Sequence, residues 1–272
     1  MTLNLKPTLK TEFIKLLNYR TFVIITLIYL ALLFLVFLSI QGFLNNITIN
    51  SGNQGEAPPV QLFSVYKFPD IWQNLSYLAG HLKIFPAFLI IILITNEFSF
   101  NTHKQIIISG VSRDEFILGK VVIIAIFSIL VSLMVGISAF FLGIFQSEVD
   151  YSAILSPKLW FIAAHVLELF TYLNLAALFA FIFRKTGITV LVFLLYSVVI
   201  ERIIALNLPE NISSFLPLQA IGNLIPVPNS PLMKLFGVNF SETTHWNDVT
   251  ACIIYNVVFV FLMFVVLRKR DL

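Results

Sequence analysis

Three ionisable residues stand where an apolar helix would ordinarily carry none: Lys83, Glu168 and Glu201 each fall inside a long hydrophobic run. A charge at such depth is costly and marks a functional hypothesis by default. At 1.5 Å per residue, Lys83 lies about 18 Å, Glu168 about 22 Å and Glu201 about 21 Å from the end of its run that faces the basic loops. The three therefore share one height, and Lys83 is expected to pair with Glu168 or Glu201, because an unpaired charge there would cost several kcal/mol. His165 and Tyr172 stand at i−3 and i+4 from Glu168, on the same helical face. One reading of this intramembrane polar cluster is a satisfied network that fixes helix packing while Arg202 reaches outward. The other is a polar patch along a substrate path or a dimer seam.

Other chemistries find little support. Four His are present, and only His165 is deep; no Gly-x-Ser-x-Gly accompanies it, so an intramembrane hydrolase lacks a nucleophile–base pair. The His residues are scattered and Cys252 is the single cysteine, which leaves no metal-ligand set and no intrachain disulfide. A phosphate loop is missing too: Gly119-Lys120 runs into Val121, and Asp114 stands five residues before Gly119. No catalytic residue, resident metal or cofactor is expected in this chain.

What must position the polar residues is a membrane bundle. Of 272 residues, 58% are hydrophobic and only 11% charged, the mean hydropathy is +0.93, and 28 residues are Phe. A typical soluble domain has about 25% charged residues, and burial on folding is too incomplete to hide this much apolar surface from water. Soluble enzyme, disordered chain and disulfide scaffold are excluded, and a net charge of +3 argues against nucleic acid. Spans of about 20 apolar residues are expected at about 21–40, 75–95, 116–145, 159–183, 187–206 and 248–267, giving an all-α polytopic protein. The first is read as a retained span rather than a signal peptide, being too long and without a small-residue cleavage site.

Basic residues orient the bundle. Lys6, Lys10, Lys15, Arg20, Lys104, Arg113, Lys120, Arg184, Lys185, Arg268, Lys269 and Arg270 make 12 on one side, against 4 on the other: Lys67, Lys158, Arg202 and Lys234. Both termini are thus expected in the cytoplasm. Residues 1–20 read as an amphipathic interfacial helix, with Leu5, Leu9, Phe13, Leu16 and Leu17 on one face, Lys6, Lys10, Glu12, Lys15 and Asn18 on the others, and Pro7 at the start. Two outer loops are apolar in part. Leu62, Phe63, Val65, Phe68, Ile71 and Trp72 suit a membrane surface; residues 207–247 hold five prolines and apolar stretches at 215–225 and 232–236 that suit a re-entrant dip.

The segment between the second and third spans is the most specific. Thr102 to Ser109 reads as one short helix, closed by Gly110 as a left-handed cap. Ser112 and Glu115 form a capping box for the next helix, whose first turn carries Asp114 and Glu115. A rigid helical knob of this kind suits docking to a partner; a well-capped connector is the other reading of the same residues.

With Glu97, the Ser109-Gly110 break, Ser112-Arg113 and Gly119-Lys120 in place, the chain resembles the permease subunits of type-2 ABC exporters, the ABC-2 permeases. The likeness covers its whole length: entry helix, six spans, both ends inside, and a long outer insertion before the sixth span. It implies that residues 102–109 are a coupling helix. Glu97, Thr102, His103, Lys104, Gln105, Ile106, Ile107, Ile108 and Arg113 would then face nucleotide-binding ATPase subunits, which carry ATP and Mg, and residues 207–247 would form an extracellular gate. It also implies a second permease copy or a related permease, surrounding membrane lipids, an inner (plasma) membrane location, and export by alternating access. A proton- or ion-coupled secondary carrier using Lys83, Glu168 and Glu201 is the alternative; against it, no span has the Gly/Pro-broken centre or inverted repeat of many carriers.

Overall fold

The computed structural model describes residues 5–51, 65–146, 154–228 and 243–269, and all regular structure among them is helical. The order is α1 (Leu5–Asn18), α2 (Arg20–Ser51), α3 (Ile71–His81), α4 (Ile84–Ser99), α5 (Thr102–Ile108), α6 (Arg113–Gln146), a 3₁₀ turn at Pro157–Leu159, α7 (Trp160–Phe183), α8 (Thr186–Leu195), a π-helical turn at Tyr196–Ile200, α9 (Glu201–Asn207), α10 (Glu210–Ser213), α11 (Pro217–Asn223) and α12 (Trp246–Lys269). Five helices are long and apolar enough to cross a membrane, or six if the bent pair α3–α4 is one span.

Apolar on all sides, α7 is suited to the centre. It packs against α12, α4, α6 and α3, and 67% of its most apolar stretch is buried, against 17% for α2 and for the α8–α9 run. A polar seam holds α7 to α12: Asn174 Nδ2 donates to Asn256 Oδ1 at 2.7 Å, and Asn256 Nδ2 donates to Thr171 Oγ1 at 2.7 Å. Such bonds find no competing water in an apolar interior.

Three expectations are revised. The second span, expected at about 75–95, is not one continuous helix. It breaks at Leu82–Lys83 and bends by 47°, and Pro86 stands in the first turn of α4, where its missing N–H costs nothing. The described part of the segment leading into α3, expected to suit a membrane surface, is drawn into the bundle. Phe68, Ile71 and Trp72 are buried in the bundle, with Trp72 Nε1 donating to the Ile154 carbonyl at 3.2 Å. Phe68 leans on Gly143 so closely that a Cβ there would stand 2.4 Å from the ring. Leu62 and Phe63 lie outside the described residues. On α1, Glu12 and Leu16 are buried, whereas Phe13 and Leu17 turn outward; Glu12 was expected on a polar, solvated face, and a salt link explains its burial below. The side chains of Leu5, Lys6 and Lys10 lie outside the description.

The insertion between α9 and α12 folds back onto the bundle. α11 packs on α12 and α7, burying Ala220, Ile221, Leu224 and Ile225. Gln73 Nε2 holds the Pro226 carbonyl at 3.0 Å, and Thr244 Oγ1 holds that of Leu224 at 3.0 Å. Stretch 232–236, Lys234 and Arg270 lie outside the described residues.

The punctuation around α5 matches the sequence. Gly110 has φ +103°, and two backbone bonds (Gly110 N to Ile107 O, 3.1 Å; Val111 N to Ile106 O, 3.3 Å) form a Schellman cap. Ser112 and Glu115 exchange bonds of 2.9 and 3.2 Å as a capping box. Gly110→Ala is expected to cost about 1 kcal/mol for an L-residue at positive φ, and Ser112→Ala about 1 kcal/mol for a lost cap. Thermal unfolding in detergent measures both; midpoints equal to wild type would show that neither cap holds the turn.

Candidate functional site

The candidate residues fall at two places along α4, α6 and α7. At the end of the bundle that carries α1 and the last turn of α12, both packed on α6, which we call the terminal face, four charges from three helices converge. α1 offers Glu12 and Lys15, one turn apart; α4 offers Glu97 in its last turns; α6 offers Lys120, two turns in. Lys120 Nζ lies 2.6 Å from Glu12 Oε2 and 2.5 Å from Glu97 Oε1. Lys15 reaches Glu97 as well, and Glu12 Oε1 at 3.4 Å. Lys120 is 1% exposed and both carboxylates are buried, with Lys15 at the rim. Two cations and two anions thus cancel in a dry pocket. Burial alone would raise the pKa of Glu12, but the Lys120 ammonium, then Lys15, outweighs it, and the group sits below its ordinary 4.5.

Glu97 also organises the knob. Its backbone carbonyl accepts from Thr102 Oγ1 at 3.3 Å and meets His103 Nδ1 at 3.0 Å, and the buried His103 ring packs on Phe98 with centroids 4.7 Å apart. Glu97 and His103 therefore face inward. Lys104, Ile106 and Ile107 are half-buried, Gln105 is exposed, and Ile108 is 84% exposed. Phe100, just before α5, is 74% exposed. A groove of about 670 Å³ runs between α1 and α5, lined by Thr11, Lys15, Gln105, Ile106 and Val111 among others. Arg113 leans on α12, its Nη1 3.5 Å from the Leu267 carbonyl, and neighbouring Asp114 pairs with Arg268 at 2.7 Å.

Toward the opposite end, Lys83 sits at the α3–α4 break. Its Nζ lies 2.6 Å from Glu168 Oε1 and 5.3 Å from the centre of the Tyr172 ring. Of the two partners expected, the pairing falls to Glu168. Glu201 lines the same cavity but accepts from the backbone N–H of Leu218 at 2.6 Å and Gln219 at 3.1 Å, capping α11. His165 turns away, its Nδ1 2.7 Å from Ser132 Oγ on α6, so it braces two helices instead of lining the cavity.

Sequence reasoning missed the roles of Glu12, Lys15 and Lys120. The signal was there: Lys120 lies inside an apolar run, where a cation requires an internal partner. It was read as a loop-side charge because it stands near the start of its span.

Lys120→Met leaves Glu12 and Glu97 without their shared cation and is expected to cost about 3–5 kcal/mol. Glu12→Gln/Glu97→Gln/Lys120→Met should recover most of that loss. Denaturation in detergent compares them, and a single variant as stable as wild type would remove the network from the account. Because the Glu12 pKa is lowered on folding, its stabilisation is fully present above about 4.5 and is lost as pH falls through the folded value. Glu12→Gln should flatten that acid limb.

No curated protein matches the chain. A family model described as a protein of unknown function, DUF2705, matches residues 54–272, which takes in α3 through α12, the Lys83–Glu168 site and, of the terminal cluster, Glu97 and Lys120 but not Glu12 or Lys15, and the chain belongs to that family.

Proposed function

We propose that the chain is the membrane-spanning permease subunit of an ATP-binding-cassette exporter of the ABC-2 type. The observation that carries this reading is the α5 knob: a short helix closed by a Schellman cap, keyed to the bundle through Glu97, with Gln105 and Ile108 uncovered on it and Phe100 uncovered just before it. Exposed apolar residues on a rigid polar-rimmed projection suit a protein partner. The excess of basic residues around this face supports a cytoplasmic position for it and for both termini, and an inner-membrane setting.

In this reading, two ATPase subunits bind ATP and Mg and press on α5. The push passes through Glu97 into α4 and, by way of Lys120 and Glu12, into α6 and α1. A second permease, identical or related, completes the path, and segments α10 and α11 act at the extracellular gate. The outward-facing Phe13 and Leu17 of α1 support an interfacial anchor among lipids. A secondary carrier is the competing reading, favoured by the Lys83–Glu168 pair alone.

The test is affinity purification of the tagged chain from detergent extract, with mass spectrometry and an ATPase assay. A phosphate-loop ATPase should co-purify and should be lost from Ile108→Asp, whose outward side chain leaves the fold intact. A stable six-span protein with no ATPase and no nucleotide dependence would overturn the reading. Proton flux in Lys83→Met vesicles would then decide for or against the carrier.

A further inference from the structure

A cavity of about 770 Å³ opens beside the α3–α4 elbow, walled by α3, α7, the π turn, α9 and α11. That volume is typical of a small-molecule site. We infer that it binds a lipophilic organic cation, an ammonium group carried on an apolar body. The inference is independent of the ATPase reading, and its test uses no nucleotide.

Charge is the first argument. Glu168 and Glu201, 4% and 2% exposed, both line the cavity. The cation that reaches them is the half-buried Lys83, bound to Glu168; Arg202, His81 and His245 also line the cavity but are exposed. Glu201 is held by backbone N–H dipoles and has the Tyr196 hydroxyl beside it, with no ion-pair partner among the described residues. Among the described residues, the buried carboxylates of the wall thus outnumber the cations bound to them by one, and an uncompensated buried carboxylate is costly.

Geometry is the second. Glu168 Oε2 is buried and has no hydrogen-bond partner. Its carboxylate lies on the bare backbone of Gly80, where a Cβ would stand 2.7 Å from Oε1 and 3.0 Å from Oε2. Glycine is required for that approach, and the second oxygen is left as an unmet acceptor in a side chain that lines the cavity.

The kind of cation follows from the lining. Lys83 already places an ammonium between a carboxylate and the Tyr172 ring, the arrangement that recognises organic ammonium groups. Tyr77 adds a second aromatic face, and Ile84, Val198, Ile225 and Pro226 give an apolar wall. A bare metal ion would find the cavity too large, and no group of three or more His, Cys, Asp or Glu among the described residues could hold one.

Radiolabelled tetraphenylphosphonium, with the full chain in nonionic detergent, is the probe. Saturable binding is expected, displaced by dodecyltrimethylammonium and not by dodecyl sulfate. Glu201→Gln keeps the acceptor for Leu218 and Gln219 while removing the charge, and should weaken binding about tenfold. Lys83→Met removes the internal competitor and should tighten it by about the same factor. Absence of saturable binding, displacement by dodecyl sulfate, or unchanged affinity in a folded Glu201→Gln protein would overturn the proposal. If Glu201→Gln fails to fold, Lys83→Met decides alone: tighter binding supports the site, unchanged or weaker binding overturns it.

Discussion

An ammonium group cannot stand alone in an apolar interior, and much of the terminal face follows from where Lys120 keeps its charge. Two turns into α6, it has no route to water, so two carboxylates must come to it from other helices. Glu97 arrives from the end of α4 and Glu12 from α1, which draws the entry helix against the bundle by a polar side chain. That requirement sets the rotation of α1. With Glu12 inward, Phe13 and Leu17 must point away, where only lipid or a partner would cover them. The same Glu97 holds α5 by its backbone carbonyl, so one residue joins the charge network to the knob.

The opposite end obeys the same rule with a different result. The α3–α4 break bends the helix pair by 47°, and Lys83 sits at that corner. Here, among the described residues, two buried carboxylates share one bound cation, and the packing leaves a cavity. Two ion clusters at the two ends of α4 thus serve different purposes: the balanced one fixes helices to each other, and the unbalanced one leaves a cavity. α7, central and apolar on every side, is the frame between them, contributing Glu168 and Tyr172 to the cavity and Thr171 and Asn174 to the seam with α12.

Features set by neighbouring residues were legible from the chain. The Gly110 cap and the Ser112–Glu115 box depend on backbone geometry that nearby side chains dictate, and both appear where expected. Helix height was legible too, because a fixed rise per residue brings Lys83 and Glu168 to one level. Rotation about a helix axis was not. Equal heights left Glu168 and Glu201 as equal partners for Lys83, and the choice came from α11, whose exposed N–H groups occupy Glu201 first. His165 shares a face with Glu168 in the sequence, yet meets Ser132 because α6 crosses there.

By itself, then, the sequence determined that this is an all-helical chain with spans of membrane length, where those spans lie to within a few residues, and how the α5 knob is capped. These follow from composition, from a 1.5 Å rise and from contacts no more than five residues apart. Only the tertiary structure decided which charges meet, that the second span is bent, that Glu12 is buried, and that the wall near Glu168 stays open. Each of these depends on how helices far apart in sequence rotate and cross, and that is set by packing and by the need to neutralise buried charge.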